Sequence, residues 1–229
     1  MDTAVVNTPL GQKTLHVCKD GTADNLEWVA LYEEAFPAEQ RQPLDDIRSQ
    51  IRTGDMELDE TRDSEGEILC MTITEVFREK PRSRGPRFLL ACYTAVLKSL
   101  RGCGIGSVHR KRCEQLLQNE YPAFLGLFSE IESTKESGVA PEAMLVRTKR
   151  KSFFMKLGLQ PLDIDYWFPN YDGGPPVPGE LLWFPFAGQT LDTPTLVATL
   201  KRIYIEGYNL SQDDPLLARL LQQFGTQVY

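Results

Sequence analysis

The 229-residue sequence has only two histidines, His16 and His109, and none of its five cysteines (18, 70, 92, 103 and 113) forms a Cys-x-x-Cys pair. With so little imidazole and no paired thiols, no metal site is expected, nor a mechanism needing several histidines. The odd, scattered set of thiols reads as reduced, which suits a cytoplasmic protein. No apolar run approaches the ~18–20 residues that a membrane-spanning helix needs. Residues 1–11 show no basic region followed by an apolar block, so neither a secretory leader nor a membrane partner is expected. Positive charge is also short: 25 Lys and Arg stand against 32 Asp and Glu, a formal net charge of -7. That excludes a general binder of phosphate backbones, and so nucleic acid. It leaves room for a local anion site made of backbone N–H groups. Internal repeats and low-complexity tracts are absent.

What is present suits a folded α-and-β chain, with 41% hydrophobic and 10% aromatic residues. Residues 14–18 alternate and predict a first short strand. Asp24 precedes an apolar set with helical spacing (Leu26, Val29, Ala30, Ala35, Phe36), closed by Pro37. Pro43 opens a second helix over 44–51, stopped by Gly54. Residues 56–62 and 67–77, around a turn at 63–66, predict a hairpin. The charged stretch 79–86 reads as a loop, and the apolar run 88–97 as a buried central strand. A helix is expected over 104–119, with Ile105, Val108, Leu116 and Leu117 on one side and residues 109–112 on another. Then come a strand over 124–132, a polar loop over 133–141 and a helix over 143–157 stopped by Gly158. A strand over 159–168, an irregular Pro- and Gly-rich connection over 169–179 and a strand over 180–186 follow. Thr193-Pro194 and Asp214-Pro215 read as N-caps followed by proline at the first helical position. Gly225 stops the last helix, whose apolar stripe is Leu216, Leu217, Leu220, Leu221 and Phe224. The expected architecture is one domain over 1–189 and a helical extension over 190–229 packed on it, serving as a lid, a packing element or a homodimer surface.

The sharpest local feature is the strand-to-helix junction Ala95-Val96-Leu97-Lys98-Ser99-Leu100-Arg101-Gly102-Cys103-Gly104-Ile105-Gly106-Ser107. Glycine admits positive φ and close backbone approach. The unpaired N–H groups of a helix N-terminus, with the helix dipole, cradle an anion. Arg101 adds a donor suited to phosphate oxygens. A Walker loop would need Gly-Lys-Ser/Thr, and Gly106-Ser107 lacks the lysine. The dinucleotide fingerprint Gly-x-Gly-x-x-Gly misplaces Gly106. Arg-x-x-Gly-x-Gly fits Arg101, Gly104 and Gly106.

That pattern resembles the acetyl-CoA loop of the GNAT N-acetyltransferase superfamily. The later Phe153-Phe154-Met155-Lys156-Leu157-Gly158-Leu159 resembles the family's helix-to-strand junction, and the likeness covers roughly residues 14–186. The resemblance implies an α/β (α+β) fold, with a mixed, mostly antiparallel central sheet flanked by helices. It implies acetyl-CoA as co-substrate, a primary amine as acceptor and direct acyl transfer without an enzyme nucleophile. Backbone amides of Arg101, Gly102, Cys103, Gly104, Ile105, Gly106 and Ser107 would hold the pyrophosphate. The backbone of Val96 and Leu97 would pair with the pantetheine arm, and the Leu97 amide would polarise the thioester carbonyl. Cys103 is then a variable loop position.

A carboxylate near the middle of the sheet serves some members as base, often through water. Glu130 and Glu132, on one face of a strand, are the candidates here. Ion pairing with the basic run over 147–151 is the competing reading. The tyrosine that protonates the departing thiolate in many members is Phe154 in this sequence. Tyr166 or water substitutes, the thiolate leaves unprotonated, or the chain is a non-catalytic CoA-binding sensor or interaction protein. Transfer of a longer acyl group is a further alternative. Glu33, Glu34, Asp45 and Asp46 could attract a cationic amine or form solvated helix faces. Arg147, Lys149, Arg150 and Lys151 could meet the CoA 3'-phosphate or an anionic acceptor, or form such a face. The aromatic set Tyr166, Trp167, Phe168, Tyr171, Trp183 and Phe184 reads as core, with part available to an acceptor pocket.

Overall fold

A computed structural model describes residues 3–9, 11–19, 21–79 and 85–225. Of the loop expected over 79–86, residues 80–84 lie outside the described residues. The chain divides into two compact units, Met1–Val76 with Ala91–Tyr121 and Phe77–Leu90 with Pro122–Tyr229.

In the first unit, β1 (Thr3–Thr8), β2 (Gly11–Lys19), β3 (Met56–Arg62), β4 (Ile68–Phe77) and β5 (Phe88–Val96) follow one another in space as in sequence. The β1–β2, β2–β3 and β3–β4 pairs are antiparallel. Strand β1 was not foreseen. It pairs with β2 from Thr3 opposite His16 to Thr8 opposite Gly11, whose φ of 102° suits glycine. Helices α1 (Leu26–Ala35) and α2 (Leu44–Thr53) bury Trp28, Leu31, Tyr32 and Ile47 with Met56, Leu58, Met71 and Ile73. The N-cap of α1 is Asn25, whose side chain accepts from the Glu27 amide, while Asp24 pairs with Arg52. A second cluster joins Leu15, Leu69 and Cys70 to Leu100 and to Ile105 of α3 (Ile105–Glu120).

One face of α3 departs from the sequence reading. His109 and Arg110, placed on a different side from Ile105, Val108, Leu116 and Leu117, are fully buried. They are accommodated by polar partners that the helical period cannot reveal. The Thr61 hydroxyl lies 2.8 Å from Nδ1 of His109 and the Thr72 hydroxyl 2.8 Å from Nε2, so a neutral ring donates at one nitrogen and accepts at the other. Arg110 donates to Glu114 at 3.4 Å. Burial, aided by the Arg110 charge, pushes the His109 pKa from 6.5 down to about 3. Between those two values the unfolded chain binds a proton that the folded one refuses, so stability falls as pH drops through that window. His109→Asn is expected to flatten this part of the stability curve by up to about 1.4 kcal/mol per pH unit. Urea midpoints from about pH 7 to about pH 4 measure the slope, and a slope equal to that of the wild type would contradict a neutral buried His109.

The second unit is built on β9 (Val177–Pro185), which pairs antiparallel with β6 (Gly126–Glu132), β7 (Gln160–Pro161) and β8 (Tyr166–Phe168). The strand expected over 159–168 is therefore two short ones. Pro161, with no N–H to donate, ends the first, and an acidic turn with Asp163 and Asp165 precedes the second. Strand β9 begins inside the segment expected to be irregular. Gly179 packs against the Phe168 ring there, where a Cβ would meet ring atoms at 2.4 Å. Helix α4 (Pro141–Lys156) sets Phe154 against Ile131, Leu159 and Leu182. Helix α5 (Thr193–Arg202) is capped by Asp192 rather than Thr193: the carboxylate accepts from the Thr195 amide. It runs into a π-turn over Ile203–Gly207, and α6 (Pro215–Gln222) follows with Asp214 as its cap. Leu216, Leu217, Leu220 and Leu221 of the expected stripe are buried. No helix among the described residues is long and apolar enough to cross a membrane.

Candidate functional site

The junction singled out in the sequence folds as a tight anion-ready loop. β5 ends at Val96, one 3-10 turn covers Lys98–Leu100, and α3 starts after Gly104. Gly102 and Gly104 have φ of 83° and 86°, in the left-handed region where a side chain is strained. A Cβ built on either meets nothing within 4 Å, so both face open space. Gly106 differs: it lies within the first turn of α3 and has no positive φ. No side chain caps α3. The Ser107 and Val108 amides turn back to the Gly104 carbonyl at 3.0 and 3.1 Å. Helix geometry leaves the amides of Ile105 and Gly106 without intrahelical acceptors. Ile105 is buried as the hydrophobic anchor of the turn, and the partly buried Cys103 Sγ lies 3.9 Å from the Arg101 carbonyl.

The strand end sharpens one assignment. The Leu97 amide donates to the Leu69 carbonyl at 3.0 Å, so it is engaged within the sheet. Because successive strand residues alternate, the N–H and C=O of Val96 face the other edge. The Val96 carbonyl there accepts from Nε of the exposed Arg101 at 3.1 Å. Val96, not Leu97, presents backbone groups away from β4.

Beside Leu97 the first unit holds a cleft of about 300 Å³ lined by Glu27, Ala30, Leu31, Glu34, Glu67, Ile68 and Leu97. Glu27 pairs with Arg62 at 2.8 Å. Glu34 and Glu67 are exposed. Of the acidic residues named from the sequence, only Glu34 lines this cleft. Glu33 faces Arg41 at 4.0 Å, and Asp45 faces Arg48 at 3.9 Å. Glu67 belongs to an acidic turn whose Asp63, Glu65 and Glu67 carboxylates lie within 4.8 Å of one another. Asp63 is held there by Lys13 and by the Glu65 and Glu67 amides.

In the second unit the two candidate carboxylates part company. Glu132 pairs with Arg150 of α4. Glu130 instead receives two phenols: Tyr166 Oη of β8 and Tyr208 Oη, just past the π-turn, both donate to its Oε1, and the two hydroxyls lie 2.8 Å apart. Burial raises the Glu130 pKa above the usual carboxylate range, against the pull of the two donors. Burial, then the adjacent Glu130 charge, pushes both phenols up. Sequence reasoning missed Tyr208. Its only local signal is a second tyrosine four residues after Tyr204, on a stretch expected to be ordinary helix.

The remaining expectations resolve into structural contacts. Phe154 is 7% exposed in its apolar cluster. The basic run ties α4 to its surroundings: Arg147 bonds Glu136 and the Ser133 carbonyl in the loop after β6, Arg150 pairs with Glu132 of β6, and Lys151 with Glu180 of β9. Of the aromatic set, Tyr166 reaches Glu130. Trp183 stacks on Phe128 at 6.3 Å, and Trp167 carries Arg219 over its ring at 4.0 Å.

No family model and no curated protein matches the sequence. Solved structures do match. The chain is similar to a GNAT-family acetyltransferase of Bacteroides thetaiotaomicron (TM-score 0.59, 17% identity, 86% of this chain and 99% of that one). It is also similar to Arabidopsis thaliana NAA60 in complex with acetyl-CoA (TM-score 0.54, 10% identity, 76% and 99%). A third is the ribosomal-protein-S18-alanine N-acetyltransferase of Escherichia coli (TM-score 0.50, 14% identity, 78% and 97%). With its antiparallel strand pairs flanked by helices and its glycine loop opening α3, the chain has the fold of the GNAT N-acetyltransferases.

Proposed function

We propose that the protein transfers an acetyl group from acetyl-CoA to a primary amine. The observation that carries this reading is the loop at 101–107: Gly104 in left-handed conformation, open space in front of it, and no side chain capping the first amides of α3. That geometry suits a pyrophosphate, and it stands on the fold of the acetyltransferases. The Val96 backbone, turned away from β4, supplies the strand edge for the pantetheine arm and the N–H that polarises the thioester carbonyl. Glu130 accepts the amine proton. It suits this role better than Glu132, whose carboxylate is taken by Arg150. Its raised proton affinity moves it toward the range of an effective base. We assign the acyltransferase domain to residues 1–189, with 190–229 as an extension that supplies Tyr208 and packs on β8 through α6.

Glu34 and Glu67 in the cleft beside Leu97 favour an acceptor carrying positive charge beyond the reacting amine. Glu34→Gln with Glu67→Gln is expected to raise the KM for a diamine about 10-fold and to leave that for an uncharged monoamine within about 2-fold. Equal effects on both amines would remove the cleft from the acceptor site. Calorimetry with acetyl-CoA, followed by an amine panel read by thiol release, tests the main proposal. Saturable binding and turnover are expected, and a folded protein without saturable binding would overturn it. The buried Phe154, which has no proton to give, favours a second reading, a CoA-binding sensor. Turnover of any amine rejects that reading. An acyl-CoA chain-length series decides the size of the transferred group.

A further inference from the structure

One face of α4 stays exposed. Its inner side is engaged: Phe154 packs on Ile131, Leu159 and Leu182, and Arg147, Arg150 and Lys151 pair with Glu136, Glu132 and Glu180. Opposite them stand Glu142, Leu145, Val146 and Lys149, all exposed and spaced at the i, i+3, i+4 and i+7 steps of one helix stripe. We propose that this stripe pairs two copies of the chain, their α4 helices antiparallel across Leu145 and Val146. The pairing is independent of the acyl-transfer reading above.

Three observations carry it. First, Leu145 and Val146 are 54% and 55% exposed and adjacent, which makes an apolar patch. Val5 and Leu26, at least as exposed, stand singly, as surface apolar residues commonly do. Second, among the described residues neither Glu142 nor Lys149 has an ion-pair partner, although Arg147, Arg150 and Lys151 of the same helix all do. Third, the two unpaired charges are of opposite sign and flank the apolar pair. Glu142 lies about one turn before it and Lys149 about one turn after it.

That order makes the stripe complementary to itself. In a two-fold contact, whatever residue i does to residue j of the second copy is repeated from j to i. With the axis between Leu145 and Val146, Leu145 of one copy meets Val146 of the other. Glu142 meets Lys149, and does so twice. A parallel arrangement would instead set Glu142 on Glu142 and Lys149 on Lys149. An anionic lipid surface would meet the Glu142 carboxylate as well as the Lys149 ammonium, so the mixed charge favours a second copy. Both copies carry a formal net charge of -7, so their general fields repel and the attraction is local. A single helix crossing falls below the ~1,200 Å² of a stable complex, which makes the dimer a weak one, with a Kd on the order of 100 µM. A homodimer contact then lies on α4 rather than on the extension over 190–229.

Sedimentation equilibrium of the full chain from about 10 µM to about 1 mM, at ~0.15 M salt, tests the proposal. The wild type is expected to pass from monomer to dimer across that range. Glu142→Lys and Lys149→Glu each turn two attractive contacts into two repulsive ones, and each should raise Kd about 10-fold or more. In an equimolar mixture of these two variants every contact again joins a cation to a carboxylate. The mixture should therefore associate within about 3-fold of the wild type, and so should the double variant. Val146→Glu should leave a monomer. All these positions are exposed, so the variants should keep wild-type circular dichroism. A wild type that stays monomeric, or a dimer whose Kd neither reversal moves, overturns the proposal. A mixture no tighter than either variant alone overturns the antiparallel pairing. A monomer that cosediments with phosphatidylserine vesicles, and loses them with Lys149→Glu, assigns the face to a membrane and overturns it as well.

Discussion

Gly104→Glu is expected to lower acetyl-CoA affinity at least about 100-fold while the protein stays folded. In the free protein the new side chain enters open space, so its structural cost is the left-handed backbone alone, about 1–2 kcal/mol. A carboxylate at a helix N-terminus is even favoured by the dipole, which offsets part of that cost. The effect on binding has the opposite sign. The side chain fills the space in front of the amides and sets a negative charge within ~4–5 Å of the expected pyrophosphate. Even at an effective dielectric of ~20 that repulsion is worth about 4 kcal/mol, well beyond a hundredfold. Gly104→Ala separates the terms: it keeps the strain, omits the charge and should cost about 10-fold. Calorimetry on variants with wild-type circular dichroism measures both. Wild-type affinity in Gly104→Glu would place the cofactor elsewhere.

Arg202→Leu is expected to cost about 3–5 kcal/mol of stability, a fall in Tm of about 10 °C. This residue ends α5 and is 5% exposed. Its guanidinium donates to the carbonyls of Phe77, Arg78 and Pro86 and forks onto Glu206 at 2.7 and 2.8 Å. It also lies 5.5 and 5.7 Å from the Phe77 and Phe88 ring centres, which are themselves stacked at 4.2 Å. Leucine fills part of the volume but leaves the buried Phe77 carbonyl and the half-buried Arg78 and Pro86 carbonyls without their donor, and an orphaned buried acceptor costs more than its bond contributes. Arg202→Lys should fall between, since an ammonium keeps the charge without the planar fork. Thermal unfolding decides. A fall of less than about 3 °C would mean that the C-terminal helices are held without this contact.

Elements defined by neighbours in sequence were legible. Helix α2 with its glycine stop, the β3–β4 hairpin and α6 with its Asp214 cap lie within a residue or two of their expected bounds. Where a competing local partner intervened, the reading slipped. Asp192 took the cap assigned to Thr193, because a carboxylate one residue earlier reaches the free Thr195 amide, and Asn25, one residue after Asp24, caps α1 through the Glu27 amide. Strand 159–168 broke because proline cannot continue a ladder. His109 and Arg110 were set apart from the apolar side of their helix because the helical period registers polarity and not the threonines of β3 and β4 that meet His109 in the core.

The candidate site divides along the same line. The anion cradle depends on glycines a few residues apart and on a helix that starts among them, so the sequence alone determined where acetyl-CoA is expected. What surrounds each of the two candidate carboxylates, by contrast, was decided only by tertiary structure. Glu130 and Glu132 are equivalent in strand periodicity. They separate because Arg150 approaches one, while tyrosines 36 and 78 residues away converge on the other. Such convergence is set by how strands and a π-turn are stacked, and no periodicity in the chain encodes it.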